Sequence, residues 1–216
     1  MRSTRFKHLN NQITADTQAE INEHVLKRHA YLQGEIDKMT PFQLKVAQDR
    51  FTKAMDGASS VLNRKLPRIL TNYKPKHLNI GIYFASTEEM RDASPIRNPH
   101  RVDVPAGIAS VNRNCILIHN HLLLAPVEVI KNIVTHELLH HFFAQHKPNI
   151  DDFEGEDDLK EDGYIEGTYK EEQWVRAIEK QVTGRHVRLL EAWEAAIELE
   201  GANWRSAYYR LKRFKE

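Results

Sequence analysis

The chain of 216 residues has a single cysteine, few glycines (9) and prolines (8), and a net charge of only +1. It also has no apolar run approaching the roughly 20 residues of a membrane span. Each shortage excludes something. One cysteine, Cys115, rules out an internal disulfide framework and a cysteine-rich zinc finger. Its apolar neighbours mark it as a buried residue rather than a reactive thiol. The balance of 31 basic against 30 acidic side chains disfavours a dedicated nucleic-acid binder. The basic opening, Met1-Arg2-Ser3-Thr4-Arg5, is followed by no apolar stretch, so a secretory leader is not expected and a cytoplasmic, reducing location is. With 41% hydrophobic residues a sizeable core is within reach. What stands out is histidine, of which there are 12.

Hydrophobic spacing divides the chain into three stretches. Residues 1–76 read as helical. Thr40-Pro41 has the form of a cap followed by a first-turn proline, and the helix it opens is expected to break near Gly57. From residue 77 the period changes. His77 to Phe84 carries apolar residues at even positions, the pattern of a strand. Ser86-Thr87-Glu88-Glu89 opens a short helix as a capping box. Gly107–Val111 and Cys115–His119 read as two strands around a turn at Asn112-Arg113-Asn114. Pro126 opens a strong helix reaching about His146. An acidic stretch follows, with nine acids and one base between Asp151 and Glu166. Helices are expected at about 170–182, 187–199 and 204–214. Helices, then strands, then helices imply an α+β fold with a small, mostly antiparallel sheet. The division is 1–76 as an N-terminal helical region, 77–183 as a core, and 184–216 as a helical extension.

The middle of the long helix reads Thr135-His136-Glu137-Leu138-Leu139-His140-His141 and contains HExxH. Histidines four apart lie one turn apart on the same face, so both imidazoles can bind one metal ion. Zinc takes such nitrogen donors in near-tetrahedral array. Glu137, beside His136, is then placed to hydrogen-bond a metal-activated water and act as general base. In a chain this rich in histidine and glutamate, chance alone produces the five-letter pattern roughly 6% of the time. Its setting on an amphipathic helix, with leucine at both intervening positions, makes it more specific than the letters alone.

A third ligand is required. His146 stands ten residues after His136, but Phe143 occupies the glycine position that a turn toward the metal would need, and an unbroken helix carries His146 away. Glu172 is the leading candidate, with Glu171 as the alternative. Glu172, Val175, Arg176 and Glu179 share one helix face, so an arginine and a second glutamate could orient the ligands. Glu171 lines up instead with Trp174, Val175 and Ile178.

These residues carry a resemblance. HExxH followed some thirty residues later by a helical glutamate resembles the gluzincin metallopeptidases. More narrowly, Glu172-x-x-Val175-Arg176-Ala177-Ile178-Glu179-x-x-Val182 is similar to the E-x-x-A-R-A-F-E-x-x-V helix. That helix accompanies HExxH in metallopeptidase domains of phages and mobile elements. Valine replaces alanine and isoleucine replaces phenylalanine. The likeness spans about residues 77–183. It implies a minimal zincin fold, one zinc ion held by His136, His140 and Glu172, and Glu137 as catalytic base. It also implies an edge strand, Cys115–His119 or Gly107–Val111, that pairs with extended substrate.

Further candidates are weaker. Tyr164, Tyr169 and His141 are near enough in sequence to contact an oxyanion or substrate. His119 and His121 are expected to be solvent-exposed. The acidic stretch lacks EF-hand spacing, so calcium is not expected there. The C-terminal run from Trp204 to Lys215 mixes cations with aromatics. This leaves nucleic acid as a secondary candidate behind an amphipathic packing helix. Two readings follow. One is a zinc peptidase acting on a protein or peptide; the other is a catalytically silent zincin-fold protein that docks a partner through its helical ends.

Overall fold

A computed structural model of the chain describes residues 3–69, 80–94, 102–146, 170–183 and 189–214. Helix α1 (Ser3–Asp37) buries Val25 and Leu32, two turns apart on one face. Thr40 then caps α2 (Pro41–Ile69) as the sequence implies. The Thr40 backbone N–H donates to Gln43 Oε1 at 2.8 Å, and the Gln43 N–H donates to Thr40 Oγ1 at 3.3 Å. The expected break at Gly57 is absent. Ala47, Phe51, Ala54, Ala58, Leu62 and Leu66 form one buried stripe at helical spacing. Keeping them on one face against the rest of the core requires the helix to run straight through.

The sheet has three strands, β1 (Gly81–Ala85), β2 (Gly107–Ser110) and β3 (Cys115–His119), in the order β1-β3-β2. It is mixed rather than mostly antiparallel. β2 and β3 form the expected antiparallel hairpin, whose turn closes through Val111–Arg113 and Asn114 in the left-handed region (φ 50°). β1 runs parallel to β3. The connection between them is long and contains the capped helix α3 (Thr87–Ala93), which allows a parallel return. β3 is therefore the central strand, not an edge, and Ile116 and Ile118 are fully buried. β2 is an edge. Of the strand expected from His77, residues 77–79 lie outside the described residues.

Helix α4 (Val127–His146) packs along α2 and beside β2. Val129, Ile130, Val134, Leu138, Leu139 and Phe142 are buried, including both leucines between the two histidines. Helix α5 (Lys170–Thr183) closes on α4 with Trp174, Val175, Ile178 and Val182. Helices α6 (Leu189–Glu200) and α7 (Trp204–Phe214) add Trp193, Ala196, Ala207 and Tyr208. One contiguous core joins all of these, from Leu32 to Tyr208. Arg28 of α1 pairs with Glu194 at 3.2 Å and with Glu198, tying the first helix to α6. On α7, Arg210 and Tyr209 face solvent while Tyr208 is buried, the arrangement of a packing helix. The fold is α+β and mostly helical. No helix among the described residues is long and apolar enough to cross a membrane. Cys115 is buried.

His119 and His121 depart from expectation: both are buried, at 6% and 3% exposure. The chain leaves β3 through a short 3-10 turn (Asn120–Leu124) that lies under α1. There the two rings stack with each other and with His29, at centroid separations of 4.1, 5.1 and 5.5 Å. His119 Nε2 shares a hydrogen bond with Thr87 Oγ1 at 2.9 Å. Burial pushes His29 and His119 down to about 4 and His121 to about 3, and neighbouring cations, Arg28 among them, add to the effect. The folded chain thus refuses protons that the unfolded chain binds below about 6.5, so stability falls as pH drops from there toward about 4. The slope is up to about 1.4 kcal/mol per pH unit for each histidine. Glu194, raised by burial to about 7 despite Arg28, acts in the opposite sense. Comparison of a variant with the native protein therefore isolates the histidines. Between pH 6.5 and 4.5 the melting temperature of His121→Leu should fall less steeply than that of the native protein. Parallel curves would show that His121 carries no such penalty.

Candidate metal centre

Two helices meet at one point. On α4, His136 and His140 lie one turn apart with ring centroids 5.1 Å apart and Nε2 atoms 3.3 Å apart. From α5, Glu172 sets Oε1 3.5 Å from His136 Nε2 and Oε2 3.3 Å from His140 Nε2. These three form the group of donors that could hold a metal ion among the described residues. The nitrogen–nitrogen separation fits one, and the Glu172 carboxylate sets one oxygen near each nitrogen. A tetrahedral ion with bonds of about 2.0–2.1 Å needs donor atoms roughly 3.3–3.4 Å apart.

The surroundings hold the ligands in place. Glu179, two turns along α5 from Glu172, accepts from His136 Nδ1 through Oε2 at 3.1 Å and from Asn132 Nδ2 through Oε1. A carboxylate on Nδ1 fixes the ring so that Nε2 faces the other donors. Arg176 Nε donates to Glu172 Oε1 at 2.9 Å. The face of Glu172, Arg176 and Glu179 is the one the spacing implied. It is presented because the rest of α5 is anchored: Trp174 and Ile178 are buried away from it and Val175 at its border, Phe143 meets Trp174 edge-to-face at 4.9 Å, and Lys65 Nζ donates to the Val182 carbonyl.

Electrostatically the cluster is anionic. Burial works against the charged form of His136, but hydrogen bonds to Glu172 and Glu179 outweigh it and carry its pKa well above the ordinary value. Burial likewise opposes ionisation of Glu172, yet contacts with His136, His140 and Arg176 hold its carboxyl far below the usual range. Glu137 differs. It is only 7% exposed, and burial raises its pKa against the pull of the two histidines. Its carboxylate accepts a hydrogen bond from the Ala109 N–H on β2. Gly107 lies against the same side chain: a Cβ there would sit 2.7 Å from Glu137 Oε1 and Cγ.

His136, Glu137, His140 and Glu172 therefore come together. His141 does not. It is buried on the other side of α4, with Nε2 3.1 Å from the Cys115 carbonyl oxygen of β3, because the residue after His140 rotates about 100° around the helix. Its ring is buried against the β3 backbone, which corrects its place among the oxyanion candidates. Tyr164 and Tyr169 lie outside the described residues, as do the side chains of Glu171 and His146. Sequence reasoning missed Asn132, Ala109 and Gly107. Asn132 stands four residues before His136 on the same face, a readable signal. Gly107 in a short strand is a weaker one, since strand glycines mark close approach of another group. No family model, no curated protein and no solved structure matches this chain.

Removal of the Glu179 carboxylate should loosen metal binding without unfolding the protein. Glu179→Gln is expected to weaken divalent-metal affinity about 10-fold to 100-fold, read by competition with a chelator. Unchanged affinity would show that Glu179 does not orient His136.

Proposed function

We propose that this chain is a zinc-dependent, gluzincin-like peptidase on a minimal zincin-like fold. The observation that carries the reading is the convergence of His136 Nε2, His140 Nε2 and the Glu172 carboxylate, whose Oε1 lies 3.5 Å from His136 Nε2 and whose Oε2 lies 3.3 Å from His140 Nε2, the two nitrogens being 3.3 Å apart. A set of two nitrogens and one oxygen at tetrahedral spacing favours zinc among common divalent ions, and three protein donors leave a position for water. Zinc in such a site supplies Lewis-acid polarisation of a carbonyl and lowers the pKa of a water.

The chain's own residues do the rest. Glu137 accepts a proton from the attacking water as its oxygen bonds to the carbonyl carbon. It then delivers that proton to the departing amine nitrogen as the C–N bond breaks. The raised pKa of Glu137 suits both halves of that task, because a carboxylate nearer neutrality both accepts and returns a proton readily. An extended peptide is the expected substrate, since the β2 edge lies beside Glu137 and edge strands bind extended chain by backbone hydrogen bonds.

A closed four-ligand site would favour the silent-binder reading; of its candidates for a fourth ligand, His141 is committed to the Cys115 carbonyl, while the His146 side chain and the acids of 151–166 lie outside the described residues. The test is turnover. Zinc-loaded protein should hydrolyse an unfolded protein such as denatured casein, or a fluorogenic peptide mixture. Glu137→Gln should keep its zinc while turnover falls about 10²-fold to 10⁴-fold. Equal hydrolysis by both proteins would remove Glu137 from the mechanism. Absence of hydrolysis by the fully zinc-loaded native protein would favour the silent binder.

A further inference from the structure

Strand β2 does more than bound the site. In an antiparallel pair, residues alternate between facing the partner strand and facing away from it. The His119 N–H donates to the Ala106 carbonyl at 3.0 Å, which makes Ala106 and His119 a bonded pair. Two residues on, Ile108 stands opposite Leu117 in the same phase. Gly107 and Ala109 consequently turn their backbone groups away from β3. The Ala109 N–H on that outer side is the one that donates to the Glu137 carboxylate.

For the carboxylate to reach that amide, the Glu137 side chain must pass directly over Gly107. A Cβ built at Gly107 would lie 2.7 Å from Cγ, 2.7 Å from Oε1 and 2.9 Å from Cδ of Glu137. These are not contacts with a flexible far end alone, for they include the stem. The stem has little room to yield, because Glu137 is 7% exposed and is followed on α4 by buried Leu138 and Leu139. Backbone conformation is not the reason for the glycine. Gly107 lies in regular strand, and Gly201 is the glycine with positive φ among the described residues.

We propose that Gly107 is a positioning residue for the base. By leaving the space of a Cβ empty, it lets the Ala109 amide grip the Glu137 carboxylate and fix its aim beside the metal ligands. The catalytic consequence rests on the peptidase reading above; the clamp itself does not. Gly107→Ala pushes the carboxylate off Ala109 while His136, His140 and Glu172 are expected to keep their affinity for a metal ion.

Two measurements need no substrate. The first is amide hydrogen exchange by NMR. The Ala109 amide is protected in the native protein and exchanges about tenfold faster in Gly107→Ala, while Ile108, bonded to β3, is unchanged. The second is a double-mutant cycle on thermal stability. Gly107→Ala lowers the melting temperature when Glu stands at 137, and costs almost nothing on a Glu137→Ala background, where the obstructing atoms are gone. This cycle remains readable even if Gly107→Ala is only marginally stable. A third measurement separates positioning from packing: kcat of zinc-loaded Gly107→Ala falls up to about a hundredfold while KM and zinc content hold. Equal stability costs on both backgrounds, or unchanged Ala109 exchange, would overturn the clamp. An intact kcat despite a proven clamp would overturn its role in positioning. Coupling in a native protein that hydrolyses no peptide would support the clamp and count against the peptidase reading alone.

Discussion

Two ring nitrogens on one helix and a carboxylate on another, separated by some thirty residues of chain, must stay together, with each nitrogen within 3.5 Å of a Glu172 oxygen. Most of the core can be understood as serving that approach of α5 to α4. Trp174, Val175, Ile178 and Val182 are buried on one side of α5, and Val134, Leu138 and Phe142 on α4. With the apolar sides fixed, the polar faces have only one place to go. Glu172, Arg176 and Glu179 then meet His136 and His140 with little freedom of rotation.

The charge of the cluster suits a cation. Glu137, Glu172 and Glu179 bring three carboxylates into a largely buried space, against one guanidinium from Arg176. Like charges so close and so poorly hydrated repel. Against burial, hydrogen bonds to Glu172 and Glu179 and the charge of Glu137 hold the pKa of His136 well above the ordinary value. A divalent cation would balance the two excess negative charges of three carboxylates and one guanidinium. The three carboxylates do not share one role. Glu172 is held ionised and faces the ring nitrogens, Glu179 orients a ring from behind, and Glu137 is raised by burial and tied to β2.

Local chemistry was legible in the sequence; long-range geometry was not. The turn-to-turn register of His136 and His140, the shared face of Glu172, Arg176 and Glu179, and the caps at Thr40 and Ser86 depend on spacings of three or four residues, and the structure has all of them. The parallel pairing of β1 with β3 depends on how a long connection returns, which strand periodicity does not encode. The same holds for burial of His119 and His121. A histidine at a strand end reads as exposed until a distant helix, here α1 with His29, is found lying over it. Gly57 has the low helix propensity of a breaker, but burial of Ala54 and Ala58 on either side of it overrides that propensity. His141 shows the limit on a smaller scale: proximity in sequence to His140 put it on the opposite face of α4.

Metal content tests this account most directly. Protein purified without chelator or added metal should carry about one zinc ion per chain by mass spectrometry. X-ray absorption should show only nitrogen and oxygen donors at about 2.0–2.1 Å, with imidazole scattering, and Glu172→Gln should lose most of the ion. A chain that neither carries nor takes up zinc would contradict the central claim, and so would a Glu172→Gln variant that binds it as tightly as the native protein.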